Sequence, residues 1–114
     1  MLDMLAIGDP APDFELPDQD GRGVKLSDLR GQIVVLFFYP KAETPGCTTQ
    51  ACGVRDHEAQ YVAAGATVLG ISPDPVAKLK RFQENHGFRF ALLSDERHDV
   101  AQAYGVWVQK SMYG

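Results

Sequence analysis

The sequence predicts a three-layer α/β domain built around a largely parallel β-sheet. Short, continuously apolar segments alternate with longer segments whose apolar residues recur at helical spacing, which is the pattern of repeated β-α-β units. The 114 residues are enough for one domain and too few for two. We therefore expect a single domain over residues 1–114.

The N-terminal part of the chain predicts a β-hairpin. Residues 14–16 and 24–26 have the composition of short strands, and the sequence Asp-Gly-Arg-Gly at 20–23 is typical of a turn between them. A short helical turn is expected from Ser27, with Gly31 at its end.

Three strands and three helices are expected to form the core. Residues 33–39, IVVLFFY, are apolar throughout, as in a strand that is covered on both faces. The predicted strands are 33–39, 67–71 and 90–93, and the predicted helices are 45–64, 75–86 and 95–104. Asp74 and Ser94 are expected to cap the second and third helices, and Val62 is expected on the inner face of the first. Tyr104 and Trp107 are expected to be packing residues.

Composition and charge exclude several classes of function. The net charge of −4 argues against a protein that binds the phosphate backbone of nucleic acid. The N-terminus lacks the basic segment of a signal peptide, and the longest apolar run, 33–39, is far too short to span a bilayer. We therefore expect a cytoplasmic protein with no membrane partner. In such a reducing compartment, a lone pair of cysteines is typically catalytic, redox-active or metal-binding.

Both cysteines of the chain, Cys47 and Cys52, fall within the first predicted helix. Thr44 precedes a proline and is a natural N-cap, so Pro45 becomes the first helical residue and Cys47 the third. The first backbone N–H groups of a helix lack intrahelical partners, and the helix dipole there favours a thiolate over a thiol. Because the thiolate is the nucleophilic form, this position indicates a reactive cysteine. The Thr44 hydroxyl, one turn back, is in reach to donate to the sulfur or to orient a substrate.

Other interpretations of the cysteines are open. Free cysteines are often small buried hydrophobes. Cys47, Cys52 and His57 form a C-x4-C-x4-H pattern, but structural zinc needs four ligands, and His86 and His98 are expected to be exposed at helix ends. A thioredoxin-like C-x-x-C is absent from the sequence, which disfavours a simple dithiol oxidoreductase.

The segment PKAETPGCTTQACGVRD, residues 40–56, resembles the active-site segment P-x-x-x-T-x-x-C of the peroxiredoxins. More narrowly, it is similar to the bacterioferritin-comigratory, or Q-type, peroxiredoxins, in which a resolving cysteine follows the peroxidatic one by five residues. The similarity extends through GDPAPDFELPDQDG, LGISPDP, LLSDE and AYGVW, and so covers nearly the whole chain. It implies a thioredoxin-like fold and a thiol-dependent peroxidase.

The resemblance also implies a role for four residues. Cys47 matches the peroxidatic cysteine and Cys52 the resolving one. Thr44 matches a threonine that hydrogen-bonds the sulfur and the peroxide, and Pro40 a proline that shields the thiolate from water. The implied cycle reduces hydrogen peroxide or an alkyl hydroperoxide, forms a sulfenic acid at Cys47 and then a disulfide with Cys52, and ends with reduction by thioredoxin.

The same resemblance implies that no metal, haem or flavin takes part, and we expect a monomer. A non-catalytic thiol sensor or relay, which passes oxidation to a partner protein, needs the same two cysteines and is the alternative function. The family's active-site arginine lies on a later strand that would follow Gly114, and the family's last strands and final helix are also expected to be missing. Arg55 is as readily a solvated side chain as a supporting residue of the site.

Overall fold

The fold is described for residues 5–106 of a computed structural model. The strands are β1 (Glu15–Pro17), β2 (Gly23–Lys25), β3 (Ile33–Phe38), β4 (Ala66–Ser72) and β5 (Ala91–Ser94). The helices are α1 (Pro45–Ala63), α2 (Val76–His86) and α3 (Asp99–Ala103), and a 3₁₀ turn spans Leu26–Leu29. Every predicted strand and helix is present. The expectation for Trp107, and that for strands after Gly114, lie outside the described residues.

The core of the fold is a parallel sheet with the order β3-β4-β5. Ile33 pairs with Ala66 at one end of the β3–β4 ladder, and Ser72 pairs with Ser94 at one end of the β4–β5 ladder. β1 and β2 form a separate antiparallel hairpin, with Glu15 opposite Lys25. The predicted parallel core and the predicted hairpin are therefore both confirmed.

Two apolar clusters fill the two faces of this sheet. The cluster beneath α1 and α2 contains Phe37, Tyr39, Ala42, Cys47, Ala51, Val68, Leu79, Phe82, Phe88, Phe90 and Leu92. The cluster beneath the hairpin and α3 contains Phe14, Leu69, Ile71, Leu93, Val100 and Tyr104. Successive residues of a strand point to opposite faces, so β3 and β4 serve both clusters. The result is the predicted three-layer α/β arrangement, in a thioredoxin-like fold. No helix within residues 5–106 is long and apolar enough to cross a membrane.

The prediction that Asp74 caps α2 is wrong. The helix starts at Val76, after Pro75, and no side chain caps it. The Asp74 carboxylate instead accepts hydrogen bonds from the backbone N–H of Ala42, at 2.6 Å, and from the Ser72 hydroxyl, at 2.9 Å. Asp74 therefore fastens the loop before α1 to the end of β4, and these partners, of which Ala42 is 32 residues away in sequence, outcompete a local cap.

The prediction that Ser94 caps α3 is also wrong. Ser94 belongs to β5, and its hydroxyl donates to the backbone carbonyl of Asp74 at 2.7 Å. The carboxylate of Asp95 accepts the N–H groups of Val100 and Ala101, at 3.2 and 2.9 Å. The helix is consequently shorter than predicted and begins at Asp99.

The inner face of α1 ends earlier than predicted. Ala51 is fully buried, and Val54 and Tyr61 pack against the cluster beneath α1. Val62, which we expected to join them, is 61% exposed. It lies in the last turn, just before Gly65 ends the helical segment with a φ of 81°, so the apolar stripe stops at Tyr61.

Gly70, in the central strand, is expected to tolerate no side chain. A Cβ atom there would lie 2.7 Å from Cζ of Phe37 and 3.1 Å from Cδ2 of Leu92. Phe37 cannot easily move, because its ring stacks on Tyr39 and meets Phe90 edge-on. We expect Gly70→Ala to lower the free energy of unfolding by about 1–3 kcal/mol, measured by urea denaturation.

Gly53→Ala is the matched control for this substitution. Gly53 lies within α1, with nothing within 4 Å of its added Cβ. Alanine there should raise the free energy of unfolding by about 0.5–1 kcal/mol, since glycine is a poor helix former. Equal stability of the Gly70→Ala variant and the parent protein would contradict the close packing of β4.

Candidate active site

The start of α1 places Cys47 where the sequence predicts it. Thr44 is the N-cap, with extended backbone angles, Pro45 is the first helical residue, and Cys47 is the third. The first helical hydrogen bond runs from the N–H of Thr48 to the carbonyl of Thr44 at 2.8 Å. Proline suits this first position because its φ is already helical and it has no N–H to leave unpaired. Cys47 therefore lies in the turn whose backbone N–H groups favour an anion.

The side chain of Cys47 is only 8% exposed and belongs to the apolar cluster beneath α1 and α2. Tyr39, from the end of β3, is buried in the same cluster. Burial raises the pKa of Tyr39; the nearby Ser72 hydroxyl opposes this rise, and the charges of Asp74 and Cys47 add to it. The phenol thus stays protonated at neutral pH, and it supplies an O–H donor in the neighbourhood of Cys47.

The Thr44 hydroxyl is engaged with the backbone in this structure. Its oxygen donates to the carbonyl of Lys41 at 2.8 Å, and it makes no side-chain cap to the helix. A hydroxyl carries only one hydrogen. Thr44 must therefore rotate before it can donate to the sulfur of Cys47 or to a substrate.

Pro40 directly follows the last sheet hydrogen bond at this end of β3, which the N–H of Tyr39 donates to the carbonyl of Ile71 at 3.1 Å. Without an N–H group, proline cannot extend the ladder, so the chain leaves the sheet here. Pro40 itself is exposed, whereas Tyr39 beside it is buried. The loop from Pro40 to Thr44 thus carries the chain from the surface to the start of α1.

This loop is held in an unusual backbone conformation. Glu43 has a φ of 69°, in the left-handed region that non-glycine residues seldom adopt. The loop is fixed at two points: the Asp74 carboxylate accepts a hydrogen bond from the N–H of Ala42, and the side-chain amide of Asn85 donates to Glu43 at 3.2 Å. These contacts position the start of α1, and with it Cys47.

Cys52 lies on the same intact helix and is half-buried. Both thiols are free in this structure. Five residues along an α-helix correspond to roughly 7.5 Å of rise and about 140° of rotation, so the folded helix holds the two sulfurs apart. The arrangement brings both cysteines to one helix but not to each other.

The prediction that His86 is an exposed helix-end residue is wrong in one respect. It is the last residue of α2, as expected, but only 24% of its side chain is exposed. Its Nδ1 lies 4.0 Å from the sulfur of Cys52. His98, also expected to be exposed, is half-buried and precedes α3 with a φ of 62°.

Arg55 links α1 to the end of α2. Its guanidinium donates to the carbonyl of His86 at 2.8 Å and to the carboxylate of Asp56 at 3.1 Å, with 37% of the side chain exposed. Of the two interpretations of Arg55, the structure therefore favours a supporting residue that joins two helices over a freely solvated one.

A metal site finds no support in the part of the chain that the structure describes. Within residues 5–106, no three side chains of the ligating types His, Cys, Asp and Glu are grouped to hold an ion. His57, the third member of the C-x4-C-x4-H pattern, is exposed and its Nδ1 lies 2.9 Å from the carbonyl of Gly53.

Local sequence reasoning missed three residues of this site. Asp74 could have been suspected only because it is an acidic residue directly after a buried strand. Tyr39 could have been suspected from its neighbour Pro40, which marks the end of the strand. His86 has no signal in its own segment, since its contact with Cys52 spans 34 residues of sequence.

Comparisons with known proteins agree with one another. Residues 7–114 match the AhpC/TSA family. The chain is 54% identical over 113 residues to peroxiredoxin Bcp of Escherichia coli K12, covering 99% of this chain and 72% of that protein. It is 46% identical over 110 residues to peroxiredoxin Bcp of Bacillus subtilis, covering 96% of this chain and 70% of that protein.

Among solved structures, peroxidoxin BcpB of Mycobacterium tuberculosis superimposes with a TM-score of 0.86 at 47% identity, covering 91% of this chain and 68% of that one. Peroxiredoxin Q of Xanthomonas campestris superimposes with a TM-score of 0.83 at 36% sequence identity, covering 89% of this chain and 64% of that one.

Proposed function

Because the chain belongs to the AhpC/TSA family and is a peroxidase of the peroxiredoxin type, we propose that Cys47 is its peroxide-reacting residue and Cys52 its resolving residue. One observation carries this assignment. Cys47 is buried in the first turn of a 19-residue helix, and Cys52 lies free on that helix five residues later. A helix N-terminus favours the thiolate, which is the form that attacks a peroxide.

In the first step, the Cys47 thiolate attacks one oxygen of the peroxide. A sulfur–oxygen bond forms as the O–O bond breaks, so the cysteine is oxidised to a sulfenic acid and the peroxide is reduced to water or an alcohol. Thr44, after its hydroxyl turns from the Lys41 carbonyl, would hold the peroxide near the sulfur. Pro40 would limit the access of water at the surface end of the loop.

In the second step, Cys52 condenses with the sulfenic acid. The sulfur–oxygen bond breaks, a disulfide forms, and water leaves. A disulfide needs its two Cα atoms within about 4.4–6.8 Å, which five residues of intact helix do not allow. The first turns of α1 must therefore unwind, so that the fold keeps the cysteines separate until Cys47 has been oxidised.

The third step returns the enzyme to its dithiol form. We propose thioredoxin as the reductant and the cytoplasm as the location, since thioredoxin and related thiol systems maintain reduced cysteines there. Hydrogen peroxide and alkyl hydroperoxides are the proposed substrates, and the apolar side chains around Cys47 would accept an alkyl group. The proposal takes residues 1–114 as one domain, supported by the single sheet that both apolar clusters share, and the protein as a monomer.

Catalytic turnover tests this proposal against the alternative of a redox relay. With thioredoxin, thioredoxin reductase and NADPH, the protein is expected to consume hydrogen peroxide far beyond its own molar amount. A control without thioredoxin should stop after one equivalent, when all Cys47 has been oxidised. If the complete mixture also stops after one equivalent while the oxidised protein transfers its disulfide to another protein, the relay is correct and the proposed cycle is not.

A further inference from the structure

His86 is fixed beside Cys52 by aromatic packing. It ends α2, and its ring meets Phe82 edge-on at 5.3 Å and stacks on Phe88 at 5.5 Å. The ring therefore presents a defined edge to α1, where Nδ1 lies 4.0 Å from the sulfur of Cys52. This is within contact distance of a thiol, whose sulfur forms longer hydrogen bonds than oxygen does.

The other nitrogen of the ring faces a carboxylate. His86 Nε2 lies 3.6 Å from Oε2 of Glu43, and no partner in the described residues forms a closer hydrogen bond to it. The other carboxylate oxygen, Oε1, accepts a hydrogen bond from Asn85, which holds Glu43 in place. A carboxylate on this side favours the ring tautomer with hydrogen on Nε2, and that tautomer leaves Nδ1 free to accept a proton.

The charged and titratable groups that contact His86 come from two elements. Cys52 and Arg55 face it from α1, and Glu43 faces it from the loop before α1. Arg55 binds the backbone carbonyl of His86 rather than its ring. The imidazole is thus flanked by one carboxylate and one thiol, in the order thiol, imidazole, carboxylate that activates nucleophilic cysteines and serines in other enzymes.

We propose that His86, oriented by Glu43, is the general base that deprotonates Cys52 for the resolving step. The proposal rests on the resolving role proposed for Cys52 above. In the folded helix, Nδ1 of His86 takes the proton of the Cys52 thiol. As α1 unwinds, the Cys52 thiolate attacks the sulfur of the Cys47 sulfenic acid, so the S–S bond forms and the S–O bond breaks. The departing hydroxide combines with a proton to give water, and His86 returns to its neutral form by releasing the proton it took. Cys52 sulfur is oxidised and Cys47 sulfur is reduced, with no further reactant.

The experiment compares His86→Phe with the matched control His57→Phe. Phenylalanine at position 86 keeps a ring between Phe82 and Phe88 but removes both nitrogens. His57 is a histidine of α1 near both cysteines in sequence, and it contacts the Gly53 carbonyl rather than a thiol. Two rate constants are measured after mixing with hydrogen peroxide: sulfenic acid formation, by trapping with a dimedone-type probe, and disulfide formation, by acid quenching, alkylation and mass analysis.

His86→Phe is expected to keep the rate constant of sulfenic acid formation within about twofold of the parent value. It should slow disulfide formation roughly tenfold to a hundredfold, which is at or below the lower end of the rate effects of general-base catalysis. The pH dependence of its disulfide-formation rate should also differ from that of the parent protein, because the base that takes the Cys52 proton has been removed. The longer-lived sulfenic acid should then accumulate as sulfinic acid in excess peroxide. His57→Phe should match the parent protein in all of these measurements. His86→Gln keeps a polar side chain but has no basic nitrogen, so it is expected to behave as His86→Phe does. It serves as the test if His86→Phe does not fold.

The outcomes separate this inference from the proposed function. If the parent protein forms the Cys47–Cys52 disulfide and both His86 variants form it at the parent rate with the parent pH profile, the role of His86 is overturned and the peroxidase cycle stands. If the parent protein itself forms no such disulfide, the proposed cycle fails and the role of His86 fails with it.

Discussion

Cys47→Ser is expected to lower the rate of peroxide reduction by about a thousandfold or more, because it removes the only nucleophile assigned to the reacting position. A serine hydroxyl is close in size to a thiol but is not ionised near neutral pH, and it does not reduce peroxides. The buried position should accept the smaller polar atom at a modest loss of stability, about 1–3 kcal/mol. The measurement is the peroxide-dependent oxidation of the protein, followed by thiol titration, with the thermal unfolding transition recorded alongside.

Cys52→Ser is the matched control for this prediction. It makes the same atomic change on the same helix, five residues further on. It should reduce one equivalent of peroxide at a rate close to that of the parent protein, because Cys47 still carries out the first step. It should then stop, since no disulfide can form within the chain. If Cys52→Ser abolished the first step while Cys47→Ser retained it, the two roles would be reversed.

Disulfide formation is expected to unwind the first turns of α1. Amide hydrogen exchange across residues 45–54 should quicken strongly when the reduced protein is converted to the Cys47–Cys52 disulfide. Exchange in β3 (Ile33–Phe38) should change little, since that strand pairs with β4 and does not include either cysteine. Helix ends have low local stability, so a transition confined to this segment is physically reasonable.

Gly53→Ala offers an independent test of the same unwinding. The substitution is unobstructed in the folded helix and should stabilise it by about 0.5–1 kcal/mol, which corresponds to a slowing of disulfide formation by roughly two- to fivefold. Equal amide protection of residues 45–54 in the two redox states, with the disulfide confirmed by mass, would show that the cysteines meet without unwinding the helix.

Much of the fold follows from local patterns, because its core strands are continuous apolar runs bounded by proline or glycine. Residues 33–39 and 67–71 are examples, and each lies within about a residue of the strand observed. The helix caps were less predictable. Asp74 and Ser94 are good capping residues in isolation, but the fold brings Ala42 to one and the Asp74 carbonyl to the other. A local pattern cannot show such competition between near and distant partners.

The same distinction applies to the candidate site. Thr44, Pro45 and Cys47 are adjacent in sequence, so their positions at the start of α1 could be predicted from proline chemistry and helix geometry. The surroundings of Cys52 could not, because His86 reaches it from a different helix. The hydrogen bond that the Thr44 hydroxyl donates to the backbone carbonyl of Lys41 could not be predicted either, since a hydroxyl has no preferred partner until the loop has folded.

Locating the first oxidised sulfur tests the central claim most directly. The reduced parent protein and Cys52→Ser are each treated with one equivalent of hydrogen peroxide in the presence of a dimedone-type probe, digested, and mapped by mass spectrometry. We expect Cys52→Ser to carry the probe on Cys47, and the parent protein to contain a peptide pair joined by the Cys47–Cys52 disulfide. Probe attached to Cys52 of the parent protein, with Cys47 left as a free thiol, would contradict the assignment of Cys47 as the residue that reacts with peroxide.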